Sequence, residues 1–481
     1  MSARVMGIDV YQLTTLCAHA REGRLGHRLA MSFFFRKLPR QRNFVVFCGL
    51  RSILEQCAEM RFDGADLTAL GAHPLLGPAF ARDPGVLEDL AAVDGFEGDI
   101  DALAEGTLAF AGAARRRDGS AFVVEGAPVI AYTPLLQART DLVRAKLIET
   151  PWLSRINAMS MVASKAARVV IAAAGRPVME LGQRRTHPDA AVDASYAAYV
   201  GGCSQTSNLA AYLRFGIPAT GTMDHFAVQA SERPGVAPAD SERAFFTAFW
   251  RAFPQQSTLL VDTYDAWRGV RAAVAATDGK LTGVRLDSEV TPESVRRMRG
   301  ILDQLGASGA KLFVSDGLDE HRVRALAEAG ADAFGVGENI TCSPDAATGV
   351  GAVGKLVENG YGKVTMKWSR GSGKATLPGW LQCYRLADRD VLALADEPAP
   401  PGGRPLLQPV WRGRRAVTPL PDPTAARAHV ERQVASLPQH LRDLEVAQAH
   451  PWSIEVSDGL AELVRRCVAE VMDGGAHKED P

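Results

Sequence analysis

Between residues 178 and 340, short apolar runs alternate with helical patterns roughly every 20 to 35 residues, and no other feature of the sequence narrows the possible folds as far. The predicted strands are 178–181, 199–202, 219–222, 258–262, 283–287, 311–315 and 333–336, with helical stretches such as 241–252 and 292–305 between them. Strand–helix alternation of this kind produces parallel β-structure, because a parallel neighbour can only be reached by a crossover. No Gly-rich dinucleotide fingerprint follows the first strand, so seven such units are read as an α/β barrel rather than a doubly wound sheet.

In a barrel the chemistry sits at the C-terminal ends of the strands. Polar groups follow nearly every predicted strand here: Arg184 and Arg185, Ser204 and Thr206, Thr222 and His225, Asp262 and Asp265, Arg285 and Asp287, Ser315 and Asp316, Gly335 and Gly337. One such residue means little, but seven sets in succession describe a polar mouth suited to a phosphate-rich, Mg²⁺-binding substrate.

The remainder is organised around this core. The expected division is an N-terminal α/β sandwich domain over 1–138, the barrel over 139–375, and a C-terminal segment over 376–481 that rejoins the N-terminal domain. Runs flanking Glu125-Gly126-Ala127 predict a hairpin within 107–136; 140–174 reads as a long helical region broken near Pro151. A Pro/Gly linker is expected over 398–409, a helix over 425–447 and a frayed tail over 474–481. The 481 residues are 47% hydrophobic and 23% charged with a formal net charge of −1, which excludes disorder and gives no global field for nucleic acid or anionic membrane. An anion must therefore be gripped locally. The seven cysteines form no CxxC pair and read as reduced thiols; the N-terminal stretch carries Asp9 without a long apolar run, and no run is long enough to span a bilayer. A soluble, cytoplasmic protein is expected.

An ordered set of motifs resembles one enzyme family. Asp9-Val10-Tyr11-Gln12-Leu13-Thr14 resembles D-L-Y-Q-L-T, and Phe34-Phe35-Arg36-Lys37-Leu38-Pro39 resembles F-F-R-K-L-P. Ser164-Lys165-Ala166-Ala167-Arg168, Glu180-Leu181-Gly182-Gln183-Arg184-Arg185 and Gly201-Gly202 with Thr206-Ser207-Asn208 resemble T-K-A-A-R, E-F-G-L-R-R and G-G-F-x-G-T-S-N. Gly221-Thr222-Met223-Asp224-His225 is similar to G-T-M-A-H, while Val261-Asp262-Thr263-Tyr264-Asp265 and Lys374-Ala375-Thr376-Leu377-Pro378-Gly379 match V-D-T-Y-D and K-A-T-L-P-G. Together they resemble nicotinate phosphoribosyltransferase, in order from about residue 8 to 385.

That resemblance implies a type II phosphoribosyltransferase: an incomplete, about seven-stranded α/β barrel with an N-terminal α+β open-sandwich domain and a C-terminal extension packed on it. It implies transfer of phosphoribosyl from phosphoribosyl pyrophosphate (PRPP) to the ring nitrogen of nicotinate in NAD salvage, stimulated by ATP and dependent on Mg²⁺. Breaking the C1–pyrophosphate bond develops oxocarbenium character, so carboxylates serve the cation and its metal while Arg and Lys serve the phosphates. By the resemblance, Asp262 and Asp287 meet the ribose hydroxyls and Mg²⁺; Arg285, with Thr206 and Ser207, meets the nicotinate carboxylate; Lys165, Arg184 and Arg185 hold phosphates. Tyr11 and Phe35 sandwich the ring, Tyr11 coming from the partner subunit of a homodimer with active sites at its interface. His225 is the histidine that ATP phosphorylates. Ser315-Asp316-Gly317 and Gly335-Val336-Gly337 cradle the 5′-phosphate. Each has a plainer alternative: Asp262, Asp265 and Asp287 as helix caps, Arg285 as a surface ion pair, Lys165 and Arg168 as an alternating charge face, Tyr11 and Phe35 as core aromatics, and the glycines as ordinary turns.

Three positions depart from the family pattern. Glu289 and Val290 stand in L-D-S-G-D-L, Glu338 follows Gly337 where G-V-G-T has Thr, and Asp224 precedes His225 where G-T-M-A-H has Ala. Each adds or moves an acid in a site for polyanions, so these side chains either point away or alter the substrate or the ATP coupling; Asp224 could also orient His225. Transfer to another heterocycle, or a non-catalytic nucleotide-binding homologue, are the alternatives.

Overall fold

The computed structural model describes residues 5–345, 349–368, 375–445 and 451–473. Lys374, the tail 474–481 and the last two residues of the helix expected over 425–447 lie outside the described residues. The chain forms two compact units: Met1–Met161 with Thr348–His429 and Ser436–Pro481, and Val162–Ala347 with Val430–Ala435.

The first unit is built on two six-stranded sheets. In one, Arg28–Phe35 lies antiparallel between Ala352–Glu358 and Leu136–Asp141, and Gly98–Leu103 lies between Leu136–Asp141 and Leu407–Gly413. In the other, Ser453–Val456 runs parallel between Arg389–Leu394 and Ala111–Arg115. Residues beyond 376 thus complete sheets begun near the N-terminus. The linker expected over 398–409 instead supplies Arg404–Pro405 and the start of Leu407–Gly413, where Leu407, Val410 and Trp411 are buried. The hairpin pairs Val123–Val124 with Ala127–Pro128, and its turn residues Glu125 and Gly126 have φ of 50° and 74°. Two positive φ angles in a two-residue turn match the twist of the flanking strands.

The helix Leu142–Ala172 runs unbroken through Pro151, contrary to the expected break. Proline there costs about 3 kcal/mol. Leu147, Ile148, Trp152 and Ile156 bracket it and are fully buried. At roughly 1.5–3 kcal/mol each, their burial outweighs the lost backbone bond.

The second unit holds a six-stranded sheet: β1 (Val178–Glu180), β2 (Gln205–Thr206), β3 (Thr258–Leu260), β4 (Gly283–Leu286), β5 (Lys311–Val314) and β6 (Ala333–Val336). Its order is β2-β1-β6-β5-β4-β3, with every pairing parallel. This is an incomplete α/β barrel. The strand expected over 219–222 is reduced to one parallel bridge between Thr206 and Ala219. The strand expected over 199–202 is the end of the helix Pro188–Val200. Tyr196 to Val200 are all buried, so that run lacks the polar positions that betray helical periodicity.

The crossover helices are pinned at the strand tips they leave. Asp265 accepts hydrogen bonds from the N–H groups of Trp267 and Arg268 and so caps Ala266–Ala276. One turn later, Gly269 packs so tightly that a Cβ would collide with the Val261 carbonyl. Gly269→Ala is expected to lower the unfolding free energy by about 1–3 kcal/mol, measurable by urea denaturation, because Val261 is backbone that cannot rotate away.

Candidate active site

The tips of β3, β4 and β5 bring four of the predicted residues into one network. Asp262 Oδ2 accepts a hydrogen bond from the Asp287 N–H at 2.7 Å, tying the loop after β3 to the loop after β4. Arg285 places Nη2 3.0 Å from Asp287 Oδ1 and donates from Nε to Ser315 Oγ at 2.9 Å; Ser315 in turn donates to Asp287. A third guanidinium bond reaches the Met223 carbonyl at 3.4 Å. With three of five N–H groups committed, Arg285 is held rigidly and keeps two donors for a ligand.

His225 begins the helix His225–Ala230, with Nδ1 3.2 Å from Thr263 Oγ1. Its other nitrogen, Nε2, lies 4.0 Å from Asp262 Oδ1 and 3.8 Å from Asp287 Oδ2. Asp262 Oδ1 is buried without a hydrogen-bond partner. Burial raises the Asp262 carboxyl above its ordinary range, and the nearby charge of Asp287 adds to this; the Asp287 N–H and His225 oppose it. A buried, unpaired carboxylate oxygen of this kind has unmet demand for a cation or a donor. Among the described residues no group of three or more His, Cys, Asp and Glu forms a metal cage. Two carboxylates nevertheless fit Mg²⁺, which is usually held by one or two carboxylates plus substrate phosphates and water.

A cavity of about 1010 Å³ shares Arg285 with this network and extends along the sheet as far as the strand starts at Thr258 and Lys311. At the strand tips it is lined by Arg184, Ser207, Thr222 and Arg285, and deeper by Phe313. The loop after β5 has φ of 101° at Asp316 and 56° at Gly317, the positive-φ geometry that turns backbone N–H groups toward one point. Asn339 braces the carbonyls of Gly317 and Leu318.

The chain has relatives among known proteins. Residues 6–157 match the family model for the nicotinate phosphoribosyltransferase N-terminal domain, and 162–345 match the quinolinate phosphoribosyl transferase C-terminal domain. Nicotinate phosphoribosyltransferase pncB2 of Mycobacterium tuberculosis is 36% identical over 472 residues, covering 95% of this chain and 92% of that protein. The chain belongs to the nicotinate phosphoribosyltransferase family. Human nicotinate phosphoribosyltransferase is 29% identical over 97% of both chains. The crystal structure of human nicotinic acid phosphoribosyltransferase superposes with a TM-score of 0.76 at 28% identity, covering 95% of this chain and 99% of that one. Nicotinate-nucleotide pyrophosphorylase from Pyrococcus furiosus shares the fold, with a TM-score of 0.68 at 23% identity over 90% and 96% of the two chains.

Several residues that the family resemblance placed at the ligand are occupied otherwise. Lys165, 3% exposed, is 3.2 Å from Asp345 and pairs with Glu320, which also pairs with Arg168 at 2.9 Å. Burial alone would raise the Glu320 carboxyl; Lys165 and Arg168 overcome that and hold it below its ordinary value. Lys165 is thus a neutralised member of a buried ion cluster, not an open phosphate grip. Thr206 donates to Glu180 Oε2 at 2.6 Å and is buried, so only Ser207 of that pair lines the cavity. Of the two arginines after β1, Arg184 lines the cavity and Arg185 does not. Gly335 lies inside β6, where a Cβ would run into Leu181 and Phe313, so it is a packing glycine; Gly337 follows the strand and abuts the Leu181 carbonyl. In the first unit, Tyr11 is 51% exposed on the helix Val10–Ala20, whereas Phe35 is fully buried in its strand and presents no open ring face.

The three added acids are accounted for. Asp224 caps the helix that His225 begins, accepting from the Ala227 N–H at 2.9 Å, so its carboxylate serves the backbone. Glu289 and Glu338 are both exposed. Three participants escaped the sequence reading. Glu180 is a buried hub that accepts from Thr206, Ser195 and the Gly182 N–H. Phe313 is an apolar wall, with the Arg285 guanidinium 5.8 Å from its ring centre. Glu242 is 2% exposed with Oε1 unpartnered, and burial beside Asp262 and Asp265 pushes its carboxyl up to about 7. Only Glu180 carried a signal, as the acid opening the E-L-G-Q-R-R run.

Two outcomes follow. Lys165→Met should cost about 3–5 kcal/mol in denaturant unfolding, because Glu320 and Arg168 lose their balance inside the unit. Glu242 favours its neutral form when folded, so its contribution to stability is complete below about pH 4.5 and lost as pH rises to about 7. In EDTA, the wild type should therefore lose about 3 kcal/mol more than Glu242→Gln between those limits; parallel stability curves would refute the assignment.

Proposed function

We propose that this chain transfers phosphoribosyl from PRPP to the ring nitrogen of nicotinate, giving nicotinate mononucleotide and pyrophosphate in NAD salvage, with ATP as co-substrate. The observation that carries this reading is the network joining Asp262, Arg285, Asp287, His225 and Ser315 at three adjacent strand tips.

The chemistry asks for a positive centre and two negative ends. The nicotinate ring enters the cavity against Phe313, its carboxylate taken by the free N–H groups of Arg285 and by Ser207. As the C1–oxygen bond breaks, its electron pair leaves with pyrophosphate and the nitrogen lone pair forms the new C1–N bond. Asp262 and Asp287 stabilise the oxocarbenium character at C1 and would hold Mg²⁺, which would supply charge neutralisation for the leaving group. The positive-φ loop at Asp316-Gly317 receives the 5′-phosphate, with Arg184 at the rim. In the tautomer whose Nδ1 donates to Thr263, the half-exposed Nε2 of His225 is free to accept a phosphoryl group from ATP. Tyr11, exposed on its helix, would reach the ring from the partner of a homodimer. The protein would work in the cytoplasm.

Pure protein incubated with PRPP, Mg²⁺ and nicotinate should form nicotinate mononucleotide, faster with ATP present. His225→Ala should remove the ATP response and leave slow basal transfer. Arg285→Ala should lower kcat/KM for nicotinate by about 10²–10³-fold. Absence of mononucleotide under all conditions would defeat the reading; an intact ATP response in His225→Ala would defeat the phosphohistidine alone.

A further inference from the structure

The first unit carries a cavity of its own, of about 450 Å³, between the helix Val10–Ala20, the helix Leu142–Ala172 and the strands Arg28–Phe35 and Ala352–Glu358. It uses none of the residues assigned above to catalysis. Its volume lies within the roughly 300–1,000 Å³ of small-molecule sites.

Its lining is cationic. Lys146, Lys355, Arg24, His19 and His27 face it against a single acid, Glu149. Glu149 is itself engaged, accepting from Gln12 Nε2 at 2.7 Å. Lys146 is partly buried and interacts electrostatically with Glu149. Lys355 has only the Gly354 carbonyl, at 2.8 Å. Burial pulls both ammonium groups below their ordinary pKa, Glu149 opposing the shift in each. Two half-buried cations that share one carboxylate, itself engaged by Gln12, are costly unless something brings further negative charge.

The cavity lining also includes an aromatic ring. Tyr361, 70% exposed, meets the His27 ring edge-on at 5.0 Å, and the Arg24 guanidinium stands 5.9 Å from its centre. Gly360 makes this wall possible, since a Cβ there would strike His27. The turn is further held by Asn359 Oδ1, which accepts from the N–H groups of Tyr361 and Lys363 at 3.0 Å each. A ring wall backed by Arg and His, in the same cavity as two ammonium groups that share a single carboxylate, suits a molecule with a flat ring and a phosphate at its two ends.

We propose that this cavity is a second ligand site that binds a small phosphorylated molecule carrying a flat ring, of the nucleoside monophosphate kind. The phosphate meets Lys146 and Lys355, and the ring packs on Tyr361.

The test is calorimetric titration of the full chain with AMP, ribose 5-phosphate and inorganic phosphate. The variants are Lys146→Met, which keeps the apolar stem, Tyr361→Ala at an exposed position, and Arg285→Ala as the barrel control. AMP should bind to wild type and Arg285→Ala alike, about ten-fold or more weaker to Lys146→Met and several-fold weaker to Tyr361→Ala. Ribose 5-phosphate should bind about ten-fold more weakly than AMP. Unchanged AMP affinity in Lys146→Met, or loss of binding in Arg285→Ala alone, would overturn the site. Equal affinity for all three anions would overturn the ring component. These readouts do not involve turnover, so they stand or fall separately from the proposed activity.

Discussion

One hydrogen bond organises the barrel mouth: the Asp287 N–H donating to Asp262 Oδ2 across neighbouring strand tips. It spends one oxygen of Asp262 on the backbone and thereby aims the other, unpartnered and buried, toward His225. Asp287 is fixed in turn by Arg285 and Ser315, so two carboxylates, an imidazole and a guanidinium are positioned before any ligand arrives. Burial and the nearby charge of Asp287 raise the tendency of Asp262 to protonate, and a cation entering the site opposes that. Preorganisation of this type is what a reaction passing through a sugar cation requires.

The same unit shows why similar residues can have opposite destinies. Lys165 and Arg285 are both cations near a carboxylate. Arg285 touches Asp287 at a half-open rim and retains free N–H groups; Lys165 is sealed with Glu320, Arg168 and Asp345. Glu180 repeats the pattern with neutral donors, drawing in Thr206 and Ser195. The mouth is therefore supported from beneath by satisfied polar clusters, which fix the backbone leading to Ser207 and the helix caps.

How much of this was readable in sequence depended on whether the signal was local. The β1, β3, β4, β5 and β6 strands, the Asp265 cap and the hairpin at Glu125-Gly126 follow from short-range propensity and turn chemistry. The helix end at Tyr196–Val200 did not, because a helix buried on all sides has the same apolar monotony as a buried strand. Pro151 misled because tertiary burial of Trp152 and its neighbours overrode a local rule. At the site, residue type alone pointed to Asp262, Arg285, Asp287 and His225. Whether a given Lys or Thr faces a ligand or a buried acid depends on partners more than 20 residues away, as with Lys165 and Glu320 or Thr206 and Glu180, and spacing cannot show that.

The strand Ser453–Val456 lies inside its sheet, with Arg389–Leu394 on one side and Ala111–Arg115 on the other. On the ribosome, nascent chain emerging in order would hold Ala111–Arg115 for more than 300 residues of synthesis before its neighbour exists. The barrel strands, all encoded between Val178 and Val336, can pair much earlier. Completion of this sheet thus waits for Ser453–Val456, and a premature stop before residue 453 would leave two strand edges open to aggregation rather than merely shorten the chain.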